Sequence, residues 1–160
     1  MNVTVVAVGK VRGSLREAVD DYEGRLRHYW RFSVVEVDAG APGRSPSAEV
    51  VRAAEAGRIL SAVREGDEVV ALTREGKGMD SVGLARHLES LALHSARGVT
   101  FVLGGAFGLD ASVRSRSRLE LSLTRMTLPH EMARLVLAEQ LYRAGTILRN
   151  EPYHKGPTGG

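Results

Sequence analysis

A chain of 160 residues with 43% hydrophobic and 26% charged side chains has room for one real core and the composition of a soluble globular protein. No apolar run approaches the ~20 residues of a membrane span, and the absence of cysteine excludes disulfides and thiolate metal sites, which suits a cytoplasmic protein. The net charge of +3 is unevenly placed: residues 1–109 carry 14 basic and 14 acidic side chains, residues 110–160 carry 8 and 5. The whole excess falls in the C-terminal third, where scattered solvated arginines and a polyanion-facing end are both open readings.

The N-terminal "VTVVAV" (3–8) has no basic stretch ahead of it and reads as a buried strand, not a signal peptide. Ser14 and Glu17 have capping-box spacing, and Leu15, Val19, Tyr22, Leu26 and Tyr29 follow at helical intervals. "FSVVEVD" (32–38) predicts a second strand, and the Gly/Pro-rich "AGAPGRSPS" (39–47) a loop. A helix is expected over about 48–64, with Val50, Val51, Ile59, Leu60 and Val63 on its apolar side. "EVVALT" (68–73) is a third strand ending in a loop, "REGKGMD", before a helix over about 81–94 that uses Val82, Leu84, Leu88, Leu91 and Leu93. "GVTFVLGG" (98–105) and the weaker "LELSL" (119–123) complete the strands. The final helix, Pro129–Leu148, is apolar on nearly all sides, with Leu137, Leu141 and His130 on one and Met132 and Val136 almost opposite. Such a helix is normally buried, yet this one also carries Arg134, Glu139, Gln140, Tyr142 and Arg143.

Alternating strands and helices predict a single α/β domain over residues 1–160, with a mostly parallel sheet covered on both faces. In such sheets ligands gather beyond the carboxyl ends of the strands. Three ends stand out: "LTREGKG", "LGGAFGLD" and "LTRMTLPH". Gly104, Gly105 and Gly108 allow a tight turn and close approach to a ligand, although GGxxG alone equally fits a plain strand-to-helix turn. It is not the GxGxxG of a dinucleotide-binding fold, and no phosphate loop, nucleophile elbow or carboxylate pair accompanies it. The five histidines lack metal-ligand spacing, so no metal is expected; His87 and His94 read as surface residues of one helix.

"FVLGGAFGL", taken with "LSLTRMTLPHEMARLVLAEQLYRAGTILRNEPYHKG", resembles the ribosomal large subunit methyltransferase H family. These are S-adenosylmethionine-dependent enzymes of the SPOUT class that methylate N3 of a pseudouridine in large-subunit rRNA. The likeness covers essentially the whole chain, from "VAVGK" through "YEGRL" (22–26) to "YHK" (153–155). It implies a C-terminal trefoil knot holding S-adenosyl-L-methionine, a homodimer formed through the last helix, and a substrate presented on the ribosome. Carried over by position, the cofactor contacts are Leu72, Gly104, Gly105, Leu123, Thr124, Arg125, Met126, Thr127 and Leu128.

The reaction that the resemblance implies needs proximity, a way to lose the imide proton and support for the developing charge, and three residues are candidates for these roles. His154 handles the imide proton, Tyr153 stacks on or hydrogen-bonds the base, and Arg143 supports the anionic base or a phosphate. Plainer readings stand beside these: His154 on a disordered tail and Arg143 in an ion pair with Glu139; His130 reads as a capping or core histidine and not a base. The last residues, "GPTGG" (156–160), run beyond the family pattern and are expected to be a disordered tail. Two other functions stay open: a SPOUT enzyme acting on tRNA, and a non-catalytic ribosome-associated RNA-binding protein. The terminal "YHK" speaks against the first, and the intact GGxxG and "LTRMTL" against the second.

Overall fold

The structure, a computed structural model, describes residues 1–94 and 96–154. Five strands, β1 (Asn2–Val8), β2 (Arg31–Val37), β3 (Asp67–Gly78), β4 (Gly98–Leu103) and β5 (Leu119–Ser122), form one sheet in the order β2-β1-β4-β3-β5. Every pairing is parallel. The helices are α1 (Leu15–Leu26), α2 (Ala48–Ala62), α3 (Ser81–Leu93), α4 (Ala111–Arg116) and α5 (His130–Leu148), followed by a 3-10 turn over Pro152–His154.

Side chains alternate across a strand, so the two central strands, fully buried along β4 and nearly so along β1, feed two cores. Val3, Val5, Val99, Phe101 and Leu103 meet Leu26 of α1, Leu84 and Leu88 of α3, and Leu137 and Leu141 of α5. Val6, Val8, Val69 and Val102 meet Ala56 and Ile59 of α2 and Val113 of α4 on the other face. The expected α/β sheet covered on both faces is the fold.

α5 packs against both α1 and α3 over the sheet, which explains its apolar breadth within one chain. Gly145 lies inside this helix, where a Cβ would come within 2.6 Å of the Tyr29 ring. The polar groups are also paired. Arg134 donates to Glu36 of β2 at 2.6 Å and to Glu23 of α1 at 2.7 Å, and Arg143 donates to Glu139 at 2.6 Å.

Several sequence expectations need correction. Ser14 makes no side-chain cap, because its own backbone is already helical and its hydroxyl cannot reach the amide two or three residues on. α1 ends at Leu26, before Tyr29. "REGKG" is not a loop: β3 bulges between Leu72 and Lys77 and then resumes pairing with Leu121 and Ser122. Gly76 lies on that bulge against the β5 backbone, where a Cβ would stand 2.6 Å from the Glu120 carbonyl. α4 is an additional element, since "ASVRSR" buries only Val113 and shows no apolar period; its one signal is Asp110, which caps the Ser112 amide at 3.0 Å. Val50, Val82 and Leu93 are exposed, and His87 is half-buried.

Candidate active site

The bulge of β3 and the carboxyl ends of β4 and β5 open onto one cleft of about 1210 Å³. Leu72 comes from β3, just before its bulge, and Gly104 and Gly105 follow β4. Leu123, Thr124, Met126, Thr127 and Leu128 come from the segment that joins β5 to α5. Eight of the nine residues carried over from the family pattern thus share one wall; Arg125, exposed on the same segment, is not part of it.

The glycine turn is built tightly. Gly108 has φ of +79°, its amide donates to the Gly105 carbonyl at 3.1 Å, and the two residues pair as an isolated bridge. A Cβ on Gly105 would stand 3.0 Å from both carboxylate oxygens of Glu55 and from Cγ1 of Val8. Glu55, buried on α2, accepts the Gly40 amide through Oε2 at 2.8 Å, and its Oε1 has no partner among the described residues. The segment after β5 is held by its own side chains. Ser122 donates to the Thr124 carbonyl at 2.9 Å, Met126 N donates to Thr124 Oγ1 at 3.1 Å, and Arg74 donates to Thr127 Oγ1 at 2.8 Å.

Sequence reasoning missed several lining residues: Arg52 reaches the cleft from α2, Arg114 from α4, and Ala133 from the first turn of α5. His130, which closes the strand-end segment "LTRMTLPH", lines the cleft beside them. It is exposed at the cleft, with Glu131 at 4.0 Å, and is not the capping or core residue expected.

Tyr153 and Arg143 lie elsewhere, at the far end of α5. His130 and Arg143 are separated along that helix by about 20 Å, at ~1.5 Å per residue. All four tyrosines of the chain gather there. Tyr142 packs edge-on against Tyr153 at 4.6 Å and against Tyr29 at 5.6 Å, and lies 6.0 Å from Tyr22. The Tyr153 hydroxyl meets that of Tyr22 at 3.1 Å and donates to Glu139 at 3.2 Å, while the Arg143 guanidinium sits 5.2 Å from its ring centre. Burial, aided by the Tyr22 hydrogen bond, pushes the Tyr153 phenol well above its ordinary pKa, so it stays protonated. The hydrogen bond that Arg143 donates to Glu139 raises the Arg143 guanidinium and fixes its charge. The Glu139–Arg143 ion pair is therefore present, and it also clamps Tyr153. His154 belongs by its backbone to the 3-10 turn; its side chain, Lys155 and the "GPTGG" tail lie outside the described residues.

Among the described residues no cluster of three His, Asp or Glu could hold a metal, and no helix is long and apolar enough to cross a membrane. A family model described as "Predicted SPOUT methyltransferase" matches residues 1–154. The chain belongs to the SPOUT methyltransferase family. It is similar to proteins named Ribosomal RNA large subunit methyltransferase H, at 51% identity to that of Gemmatimonas aurantiaca, covering 97% of this chain and 100% of the relative. The counterpart in Syntrophotalea carbinolica is 43% identical over 96% of this chain and 99% of its own length. That of Acetivibrio thermocellus is 40% identical over 97% and 100%.

Proposed function

We propose that the chain is a cytoplasmic, S-adenosylmethionine-dependent methyltransferase that methylates N3 of a pseudouridine in large-subunit rRNA, on the assembled ribosome. The observation that carries this reading is the convergence of the β3 bulge and the ends of β4 and β5 on one cleft, in a SPOUT chain whose relatives are named for methylating large-subunit rRNA. The cleft suits the cofactor chemically. Leu72, Leu123 and Leu128 offer apolar walls, and the turns at Gly104–Gly105 and Leu123–Leu128 bring backbone amides and carbonyls to its edge. Bound there, S-adenosyl-L-methionine would supply an electrophilic methyl group. The trefoil knot is part of the same reading.

The protein's task is then to deliver the base, remove its N3 proton and support the charge left behind. His154 takes the proton, Arg143 supports the anion, and Tyr153, kept neutral, orients the base. Arg143 and Tyr153 stand too far from the cleft of their own chain. The reading therefore includes a homodimer in which α5 packs antiparallel to its twin, so that each C-terminal turn faces the partner's cleft. Exposed Met132 in the first turn of α5 and Met126 just before it supply apolar surface at the cleft end of the contact. Tritiated methyl transfer to intact ribosomes, followed by nucleoside mass spectrometry, tests the proposal. Label in a methylated pseudouridine is the expected result; label only in tRNA, or none, defeats it.

A further inference from the structure

The segment from Arg114 to Arg118 alternates arginine and serine through the last turn of α4 and the link to β5. Arg114, Arg116 and Arg118 are all exposed. This segment divides two concavities. On one side lies the cleft, walled by Arg114 and Ser115. On the other lies a groove of about 730 Å³ at the amino ends of β3 and β4, walled by Ser115, Arg116, Ser117, Arg118, Ser90 and His94. Ser115 belongs to both walls, so cleft and groove adjoin at this segment.

The charges along it are weakly engaged. Arg118, with a side chain 82% exposed, reaches Glu68 only at 3.4 Å. Arg116 donates to the Asp67 main-chain carbonyl at 3.5 Å and has no carboxylate partner among the described residues. Arg114 is the firmer member, 2.8 Å from Glu120. Exposed ion pairs of this kind hold their partners loosely and exchange them readily. The rest of the lining stands back from solvent: Asp67 and Val69 are buried, and Glu68, Leu91 and Ala96 are half-buried, so the side chains the groove exposes are its arginines, serines and His94, without the apolar centre that a protein partner needs. These match the donor set that contacts phosphate oxygens.

We propose that Arg116 and Arg118, continued to the cleft by Ser115 and Arg114, form a phosphate track for the rRNA strand flanking the methylated nucleotide. The inference rests on the rRNA methyltransferase reading above. Nucleotide identity plays no part in such contacts, so the track contributes affinity and register while the cleft and the C-terminal turn select the base.

The test compares wild type, Arg116→Ser/Arg118→Ser and the charge-keeping Arg116→Lys/Arg118→Lys in methyl transfer to intact ribosomes across potassium chloride concentrations. Cofactor calorimetry and thermal melting are run on each protein. For the serine variant the expected results are a KM for ribosomes raised about tenfold and a kcat within twofold of wild type. The plot of log kcat/KM against log salt should be shallower by about 1.4, at ~0.7 for each single-strand phosphate that the variant no longer neutralises. Cofactor affinity and melting temperature should be unchanged, and the lysine variant should recover most of the affinity for ribosomes. An unchanged KM and salt slope in the serine variant, with wild type active, would overturn the track and leave the methyltransferase reading standing. A fall in melting temperature and cofactor affinity, unrescued by lysine, would make the arginines structural and overturn it as well. If wild type methylates no ribosome, the functional reading fails and the track falls with it.

Discussion

Gly105 is constrained from behind as well as by the cleft in front. Any side chain there would press on the Glu55 carboxylate and Val8, both buried, before it reached a ligand. Gly105→Val should therefore lower stability by about 1–3 kcal/mol through overpacking and, by shifting the turn, weaken binding of S-adenosylmethionine. Because Glu55 supplies two of the three nearest atoms, the same substitution should cost less in a Glu55→Ala background. Denaturant melts of the two single variants and the double variant measure this, and destabilisations that simply add would remove Glu55 as the cause. The importance of Gly105 was legible in "LGGAFG", but the reason was not. Glu55 is 50 positions earlier on a helix of the opposite face, and nothing in sequence spacing links them.

Among the elements, α5 is tied to α1 and β2 by a buried charge cluster in which one guanidinium serves two carboxylates. Arg134 uses one terminal nitrogen for each glutamate, and its Nε is left without a partner among the described residues. Removing Arg134 while both glutamates remain should be expensive: Arg134→Met is expected to cost about 3–5 kcal/mol, as breaking a buried pair does. A thermal melt within a degree of wild type would contradict that. Burial, reinforced by Asp20 and Glu36 against the pull of Arg134, raises the Glu23 carboxyl above 4.5. A folded-state pKa above the unfolded one means the native chain binds more protons between the two values, so stability falls as pH rises through that window. Above pH 4.5 wild type should thus lose stability relative to Glu23→Gln, and the difference should level off once Glu23 is ionised in both states. Parallel curves from pH 4 to 8 would exclude Glu23 as the titrating group. The elements themselves were mostly readable, because the β-branched runs and apolar helical spacing of the two central strands and of α1, α3 and α5 dominate local propensity. What escaped were features decided by tertiary packing: α4, which has one buried anchor, and the second half of β3, whose polar "EGKG" stays extended only because β5 pairs with it.

At the scale of the whole molecule, the cleft was legible because two glycine- or turn-rich segments follow β4 and β5 and a third glycine-bearing segment marks the bulge of β3. The distance between that cleft and the C-terminal turn was not, since a sequence does not say where its last helix points. α5 begins at the cleft and carries Tyr142, Arg143 and Tyr153 to the far side of the molecule. In the proposed antiparallel dimer each working site combines the cleft of one protomer with the C-terminal turn of the other, and this can be tested without knowing the proton acceptor. Leu128→Trp should fill the cleft and leave the turn intact; Tyr153→Ala/His154→Ala should spare the cleft and disable the turn. Each homodimer should be nearly inactive on ribosomes while still sedimenting as a dimer and melting cooperatively. A heterodimer with one protomer of each kind, isolated through two different affinity tags, has one site built from two intact halves and one from two damaged halves. It should recover about half the wild-type rate per dimer, as two-fold symmetry with exchanged contributions requires. If instead each turn served the cleft of its own chain, both sites of the heterodimer would contain one damaged part, and the mixed protein would be as inactive as its parents. Activity near half places the turns in trans; activity at the parental level defeats the shared site, and a 17.3 kDa sedimenting species for wild type would defeat the dimer itself.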